Sequence, residues 1–207
     1  MLEWPWWQQF PDGTDIVAFK APTFGCPSDT RGDNVWTDGE HVSSLTSYLA
    51  VSGRNQFLEA GGQDGIVYVN SAVRIASITD GTSNTFLIGE RTSSNNLLYG
   101  WQWAGAGDHP VFGATDVVLG VFERPERPSA TPDYFRLGKL EDPQDLHRYH
   151  FWSLHPGGAN WAMADSSVRF IGYSAGGPQN TSRQPYTPTI IEALATRAAE
   201  EIVDLQD

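Results

Sequence analysis

A period of two runs through much of the chain. Ala159, Trp161 and Met163 alternate with Asn160, Ala162 and Ala164, which suits a pleated strand with unlike faces. After the polar break Asp165-Ser166, the run Ser167-Val168-Arg169-Phe170-Ile171 resumes the pattern, with Val168 and Phe170 on one face and Arg169 on the other. Two such runs around a two-residue break predict a β-hairpin. His155-Pro156-Gly157-Gly158 leads into it with turn chemistry, since proline holds one φ and glycine accepts a positive one. Further candidate strands fall at 16–19, 46–51, 66–69 and 117–122, and Tyr99, Trp101 and Trp103 share one face of another. Val73, Ile75 and Ile78 approach Asp80-Gly81 and Phe86-Leu87-Ile88 leaves it, a second strand-turn-strand unit. Its turn residues Thr82, Ser83 and Asn84 can staple the local backbone through their side chains.

Helical period is confined to the end of the chain. Ile190, Ile191, Leu194, Ala198, Ile202 and Leu205 recur every three or four residues, and Thr189 with Glu192 forms a capping-box pattern. An amphipathic helix over 190–203 is expected, its apolar stripe against the sheet. Residues 105–150, rich in proline and charge, read as a variable insertion, and 176–188 as a linker. The predicted fold is a single α+β domain over 1–207: an antiparallel sheet of short strands, long loops and a packed C-terminal helix.

Short motifs fall in a fixed order along this frame. They are Cys26-Pro27-Ser28-Asp29, Thr46-Ser47-Tyr48, Val73-Arg74-Ile75 leading into Thr79-Asp80-Gly81-Thr82-Ser83-Asn84-Thr85, and Gly89-Glu90. Next comes His155, nine residues and Asp165, enclosing Gly157, Gly158 and Asn160, and last Ala193-Leu194-Ala195-Thr196-Arg197. This order resembles a large bacterial family of unknown function, the pilin-like prepilin-type processing-associated proteins, over residues 21–203. The family has Asp-Gly where Asp165-Ser166 stands, and Gly-Gly-Glu where this chain has Ala198-Ala199-Glu200. The resemblance implies a pilin-like globular head at the cell envelope or outside the cell. It implies a non-catalytic pilus or pseudopilus subunit that self-associates or captures protein partners. The positions it marks are Asp80, Gly81, Asn84, Glu90, His155, Gly157, Gly158, Asn160 and Asp165. Family members begin with an apolar helix, whereas Met1-Leu2-Glu3-Trp4-Pro5-Trp6 shows neither a basic leader nor an apolar stretch. The expectation is therefore no signal peptide and no membrane span in this chain, as a trimmed head or one that has lost the filament role.

Composition narrows the partners. Among 207 residues, 13 basic against 25 acidic side chains leave a net charge of −12, which repels nucleic acid and anionic lipid. No nucleic-acid partner is expected. Cys26 is the lone cysteine, so an internal disulfide and multi-cysteine zinc sites are excluded. Gly172-Tyr173-Ser174-Ala175-Gly176 spells a nucleophile elbow, but Gly177-Pro178 prevents the helix that must follow, and no histidine lies beyond His155. Neither a phosphate loop nor a dinucleotide fingerprint is present. The reading is a non-enzyme without a cofactor, with calcium as the alternative.

Candidate binding residues each carry two readings. Asp80, Asn84 and Asp165 can ligate calcium or simply hold their own turns. The acidic loop with Asp33, Asp38 and Glu40 lacks the spacing of an EF-hand and reads as solvated. His147, His150 and His155 approach metal-ligand spacing, yet no His-Glu-x-x-His run accompanies them, so they read as scattered surface histidines. Trp6, Trp101 and Trp103 can stack on sugar if exposed or fill a core if buried. Two rival functions follow: a carbohydrate-binding module, and a calcium-stabilised adhesion domain.

Overall fold

A computed structural model describes residues 9–33, 35–37, 39, 42–56, 61–102, 117–123, 133–142, 145, 147–177 and 188–200. In chain order these form β1 (Val35–Thr37), β2 (Val42–Ser44), β3 (Tyr48–Val51), β4 (Phe86–Glu90), β5 (Val118–Leu119), β6 (Phe122–Glu123), β7 (Asp133–Tyr134), β8 (Gly158–Met163), β9 (Val168–Gly172) and the helix α1 (Ile190–Ala195). The main sheet has the order β5-β3-β4-β8-β9; β1-β2 and β6-β7 are separate two-stranded ribbons. Neighbours in the main sheet run antiparallel except β5, which lies parallel to β3. The fold is therefore α+β with a mixed sheet, and part of the expected variable insertion supplies its edge. Among the described residues no helix is long and apolar enough to cross a membrane.

The hairpin forms at β8 and β9, pairing Gly158 with Gly172 through Ala162 with Val168. Its turn is one residue longer than the expected two-residue break. Ser166 N–H donates to the Met163 carbonyl at 3.0 Å, Met163 N–H donates to the Ser167 carbonyl at 2.8 Å, and Ser166 takes φ 71°. That is a three-residue loop closing on a left-handed residue, the place where glycine is favoured.

Ala159, Trp161 and Met163 are buried, and the return strand keeps Val168 and Phe170 on one face and Arg169 on the other, as the alternation predicts. Ile171 is buried, while Val168 and Phe170 are 67% and 53% exposed. A bulge between Phe86 and Ile88 shifts the phase of β4 by one residue, so Phe86 and Gly89 both look toward β8's buried face. A Cβ on Gly89 would lie 2.5 Å from the Trp161 ring, so this close packing needs glycine. Glu90 is thereby turned to the opposite face, beside Tyr48 and Asn160.

The core is the inner sheet face against α1: Leu49, Val51, Phe86, Trp161, Met163 and Ile171 meet Ile191, Leu194 and Ala195. Phe86 and Trp161 stack with ring centroids 4.3 Å apart. Each fully buried large side chain contributes about 1.5–3 kcal/mol to folding. Trp36, Leu45 and Trp101 form a smaller second cluster.

Other expected elements shorten for local reasons. The predicted strand at 46–51 starts only at Tyr48, because the Thr46 hydroxyl accepts the Tyr48 N–H at 3.1 Å. Residues 16–19 close a 3-10 turn at Ile16–Ala18, bonded Ala18 N–H to Asp15 carbonyl and Phe19 N–H to Ile16 carbonyl. Residues 66–69 form no strand; Val67 reaches only the end of β3, through one bond to the Val51 carbonyl, before Ser71 closes a turn on Tyr68. Ile75 lies 78% exposed in a 3-10 turn, so the first arm of the second hairpin does not form. The 117–122 run divides into β5 and β6 at Gly120, which passes against Asn55. Trp101 makes a single bridge to Leu45 rather than a strand.

The capping box at Thr189 and Glu192 is present. The helix nevertheless ends at Ala195 instead of 203. Arg197 N–H bonds the Asp64 carbonyl, and the Asp80 carboxylate takes the N–H groups of Ala199 and Glu200 at 2.9 Å each. Those tertiary bonds replace the next helical turn. Residues 201–203 lie outside the described residues.

Candidate functional site

Four of the ordered motifs converge on the outer face of the sheet, at the end where β4 finishes. Cys26 arrives on the loop after a 3-10 turn at Pro22–Phe24. That loop is pinned by Cys26 N–H to the Ser47 hydroxyl at 3.0 Å and Ser47 N–H to the Phe24 carbonyl at 2.8 Å. Asp29 anchors its far side through a paired bond to Arg31, at 3.1 and 3.0 Å. Arg31 in turn donates to the Ser93 and Ser94 carbonyls. The run Arg31-Gly32-Asp33 thus spends its arginine on the fold.

His155 is set by the turn before β8. The Ser153 hydroxyl accepts the His155 N–H at 3.0 Å and donates to the Gly158 carbonyl at 2.7 Å. Gly157 holds φ 83°, and a Cβ on Gly158 would lie 2.2 Å from the Ile171 carbonyl oxygen. Both glycines of the motif are thus required by the backbone.

The side chains meet at one point. His155 Nε2 lies 3.6 Å from Cys26 Sγ and 3.3 Å from Glu90 Oε1. The three donor atoms all lie within 4.8 Å of one another, with Cys26 and Glu90 buried and His155 half-buried. Glu90, only 2% exposed, is held by Asn160, whose backbone N–H reaches Oε2 at 2.6 Å and whose side-chain amide reaches both oxygens at 3.2 Å. Tyr48 faces Glu90 across the β3–β4 pair. Burial, then the Glu90 and Cys26 charges, push the Tyr48 phenol up to about 12. Burial also pushes the Cys26 thiol up, while the backbone N–H groups of Ser28 and Asp29 favour its thiolate.

This geometry separates two chemistries. In a nucleophile–base–orienter chain, the histidine uses one ring nitrogen for the nucleophile and the other for its carboxylate. Here Nε2 alone faces both Cys26 and Glu90, so the proton relay of a cysteine hydrolase is not assembled. A common centre fits instead: sulfur, nitrogen and carboxylate oxygen are ligand types for a borderline-soft divalent cation.

The other two expected histidines join a different cluster with Asp145. Lys139 N–H donates to His147 Nε2 at 3.0 Å, which leaves the His147 proton on Nδ1, 2.9 Å from His150 Nε2. His150 Nδ1–H then reaches the Phe151 carbonyl at 3.1 Å. Both rings are buried, and desolvation holds each below the ordinary histidine range, His150 at about 4. Their nitrogens are committed to one another, so the pair is a structural relay of hydrogen bonds, not a set of surface histidines.

The family question closes on the match to this frame: the family described as protein of unknown function (DUF1559) matches residues 2–176. The chain belongs to the DUF1559 family. In DUF1559 terms, the matched region contains Cys26, Glu90, His155 and Asn160, and the site is built inside it. No curated protein and no solved structure matches the chain.

The remaining predicted site residues disperse. Trp101 is 3% exposed and packs on Trp36 with centroids 4.6 Å apart, so it is core and not a sugar platform. Trp6 and Trp103 lie outside the described residues. The side-chain hydrogen bonds of Asp80, Asn84 and Asp165 go to backbone, to Ser167 and to Thr196. Asp80 binds the backbone of 199–200, and Asn84 donates back to the Asp80 carbonyl at 3.4 Å. The Asp165 carboxylate caps Ser167 at 2.9 and 2.6 Å. Gly81 takes φ 96° to open the turn between them. Cys26 and Tyr48 were legible only as motif letters. Nothing local in the sequence says that positions 129 residues apart share a site.

Proposed function

We propose that this chain is a non-catalytic, pilin-like head domain of a cell-envelope assembly that works through protein–protein contact. The observation that carries the reading is β9. It is the last strand of the main sheet, and among the described residues its outer edge pairs with no further strand. Val168 and Phe170 project from it, 67% and 53% exposed, beside Ala162 and Asn160 of β8. Soluble proteins normally shield a strand edge with charge, proline or a covering segment, and an apolar open edge invites strand addition. Among the described residues His155 turns one ring nitrogen to both Cys26 and Glu90, an arrangement that favours holding a ligand over relaying a proton. The motif order supports the pilin-like part and, with it, a place at the cell envelope.

Size measured against concentration tests this. The chain should shift to larger species as concentration rises, and Val168→Glu with Phe170→Lys should abolish the shift without unfolding the hairpin. A size independent of concentration, together with no change in binding to envelope proteins on the double substitution, would remove the reading. The carbohydrate reading loses Trp101 to the core, and the calcium reading loses the Asp80 carboxylate to the backbone. No observation favours either as a second proposal.

A further inference from the structure

We propose that Cys26, Glu90 and His155 form a binding site for one zinc-class divalent cation, with Asn160 holding the Glu90 carboxylate in place. The donor separations have the size such an ion imposes. Tetrahedral bonds of about 2.3 Å to sulfur and about 2.0–2.1 Å to nitrogen and oxygen put sulfur about 3.6 Å from nitrogen, and nitrogen about 3.4 Å from oxygen. The structure has 3.6 and 3.3 Å. The second is long for an imidazole–carboxylate bond, whereas the first also suits a bond between a thiol and an imidazole. Both are ordinary as edges of a coordination tetrahedron.

The surroundings agree. Three protein donors, each from a different segment, are delivered by backbone that is independently pinned: the Ser47-bonded loop, the end of β4 and the Ser153 turn. The Glu90 carboxylate is oriented by three bonds from Asn160, the kind of outer partner that tunes a metal ligand. His155 is the member that solvent reaches, with 28% of its side chain exposed, so water or an outside ligand completes the sphere from that side. The Asp145–His147–His150 cluster makes the contrast, because its ring nitrogens are already bonded to each other and to backbone.

The test is titration of the reduced, metal-stripped chain with Co²⁺. The expected result is one equivalent bound, with a thiolate-to-cobalt charge-transfer band and visible bands of tetrahedral strength, displaced by Zn²⁺. Cys26→Ser should abolish the charge-transfer band, and Glu90→Gln and His155→Gln should abolish tight binding. Asn160→Ser should weaken binding by about tenfold or more. Asp145→Asn should bind as the parent does. Because Cys26→Ser alters a buried position, far-ultraviolet circular dichroism accompanies each variant, and half-exposed His155→Gln carries the same decision should the cysteine variant unfold. Failure of the parent to bind overturns the proposal. So does binding without the charge-transfer band, or binding lost in Asp145→Asn and kept in His155→Gln. Self-association is read separately by size, so either outcome leaves the assembly reading to its own test.

Discussion

Glu90 and Asn160 face each other across β4 and β8, and Asn160 satisfies the carboxylate twice over, with its backbone N–H at 2.6 Å and its side-chain amide at 3.2 Å. The glutamate is almost wholly buried, so an acceptor left without a donor there is costly. Asn160→Ala keeps the backbone bond and removes the amide. It should destabilise the chain by about 1–3 kcal/mol, read as a lower urea midpoint. Asn160→Asp should be worse, because it places a second carboxylate against the first. A midpoint unchanged in the alanine variant would mean that water replaces the amide freely.

Ser166 closes the β8–β9 turn at φ 71°, a conformation that costs a residue with a Cβ about 1–2 kcal/mol. Ser166→Gly should therefore raise stability by about 1 kcal/mol and increase the melting temperature, with the hairpin register unchanged. Ser166→Val should lower it, since a branched side chain tolerates that conformation least. A destabilised glycine variant would show that the serine side chain makes a contribution larger than the strain.

What the sequence disclosed follows from how local each cause is. The Ala159–Trp161–Met163 alternation and the Thr189–Glu192 cap are complete within a few residues, and both are realised. Which face of β9 is buried was not legible, because that depends on the length of the Asp165 turn, and a one-residue change exchanges the faces of a strand. The helix end was not legible either: the residues that stop it, Asp64 and Asp80, lie more than a hundred positions earlier. The Cys26–Glu90–His155 site shows the same limit. Its members were visible as separate motifs, but the bulge in β4 that turns Glu90 toward them is a property of pairing with β8.

Asp80 holds the chain beyond α1. Its two oxygens accept the N–H groups of Ala199 and Glu200, and the Thr196 hydroxyl lies at 3.5 Å. Asp80→Ala should cost about 1 kcal/mol overall, since these bonds are solvent-exposed. Its clearer signature is local, as faster amide hydrogen exchange at Ala199 and Glu200 with the sheet still protected. Melting curves with calcium and with chelator should coincide for the parent. Stabilisation by calcium that disappears in Asp80→Ala would instead revive the carboxylate as a ligand.

Two buried groups set opposing pH dependences. Glu123 sits with Oε2 on the Gly120 N–H at 2.7 Å and Oε1 without a hydrogen-bond partner among the described residues, and burial pushes it from 4.5 to about 7. Between those values the folded chain keeps a proton that the unfolded chain has released, so stability falls as pH rises from 4.5 to about 7. Burial moves His150 the other way, from 6.5 to about 4, with Asp133, Arg136, His147 and Asp145 as the charged and titratable groups facing it. There the unfolded chain binds a proton that the folded chain refuses, so stability rises as pH rises from about 4 to 6.5. Each difference corresponds to about 3 kcal/mol, and over pH 4.5–6.5 they nearly cancel. Glu123→Gln removes the falling limb alone. Its advantage over the parent should be small near pH 4.5 and should grow to about 3 kcal/mol above pH 7, measured as the difference in urea unfolding free energy. His150→Asn should show the reverse, matching the parent best near pH 4 and losing most by pH 6.5. A Glu123→Gln advantage that stays constant with pH would mean that the carboxyl is already ionised in the folded chain, and that solvent reaches it.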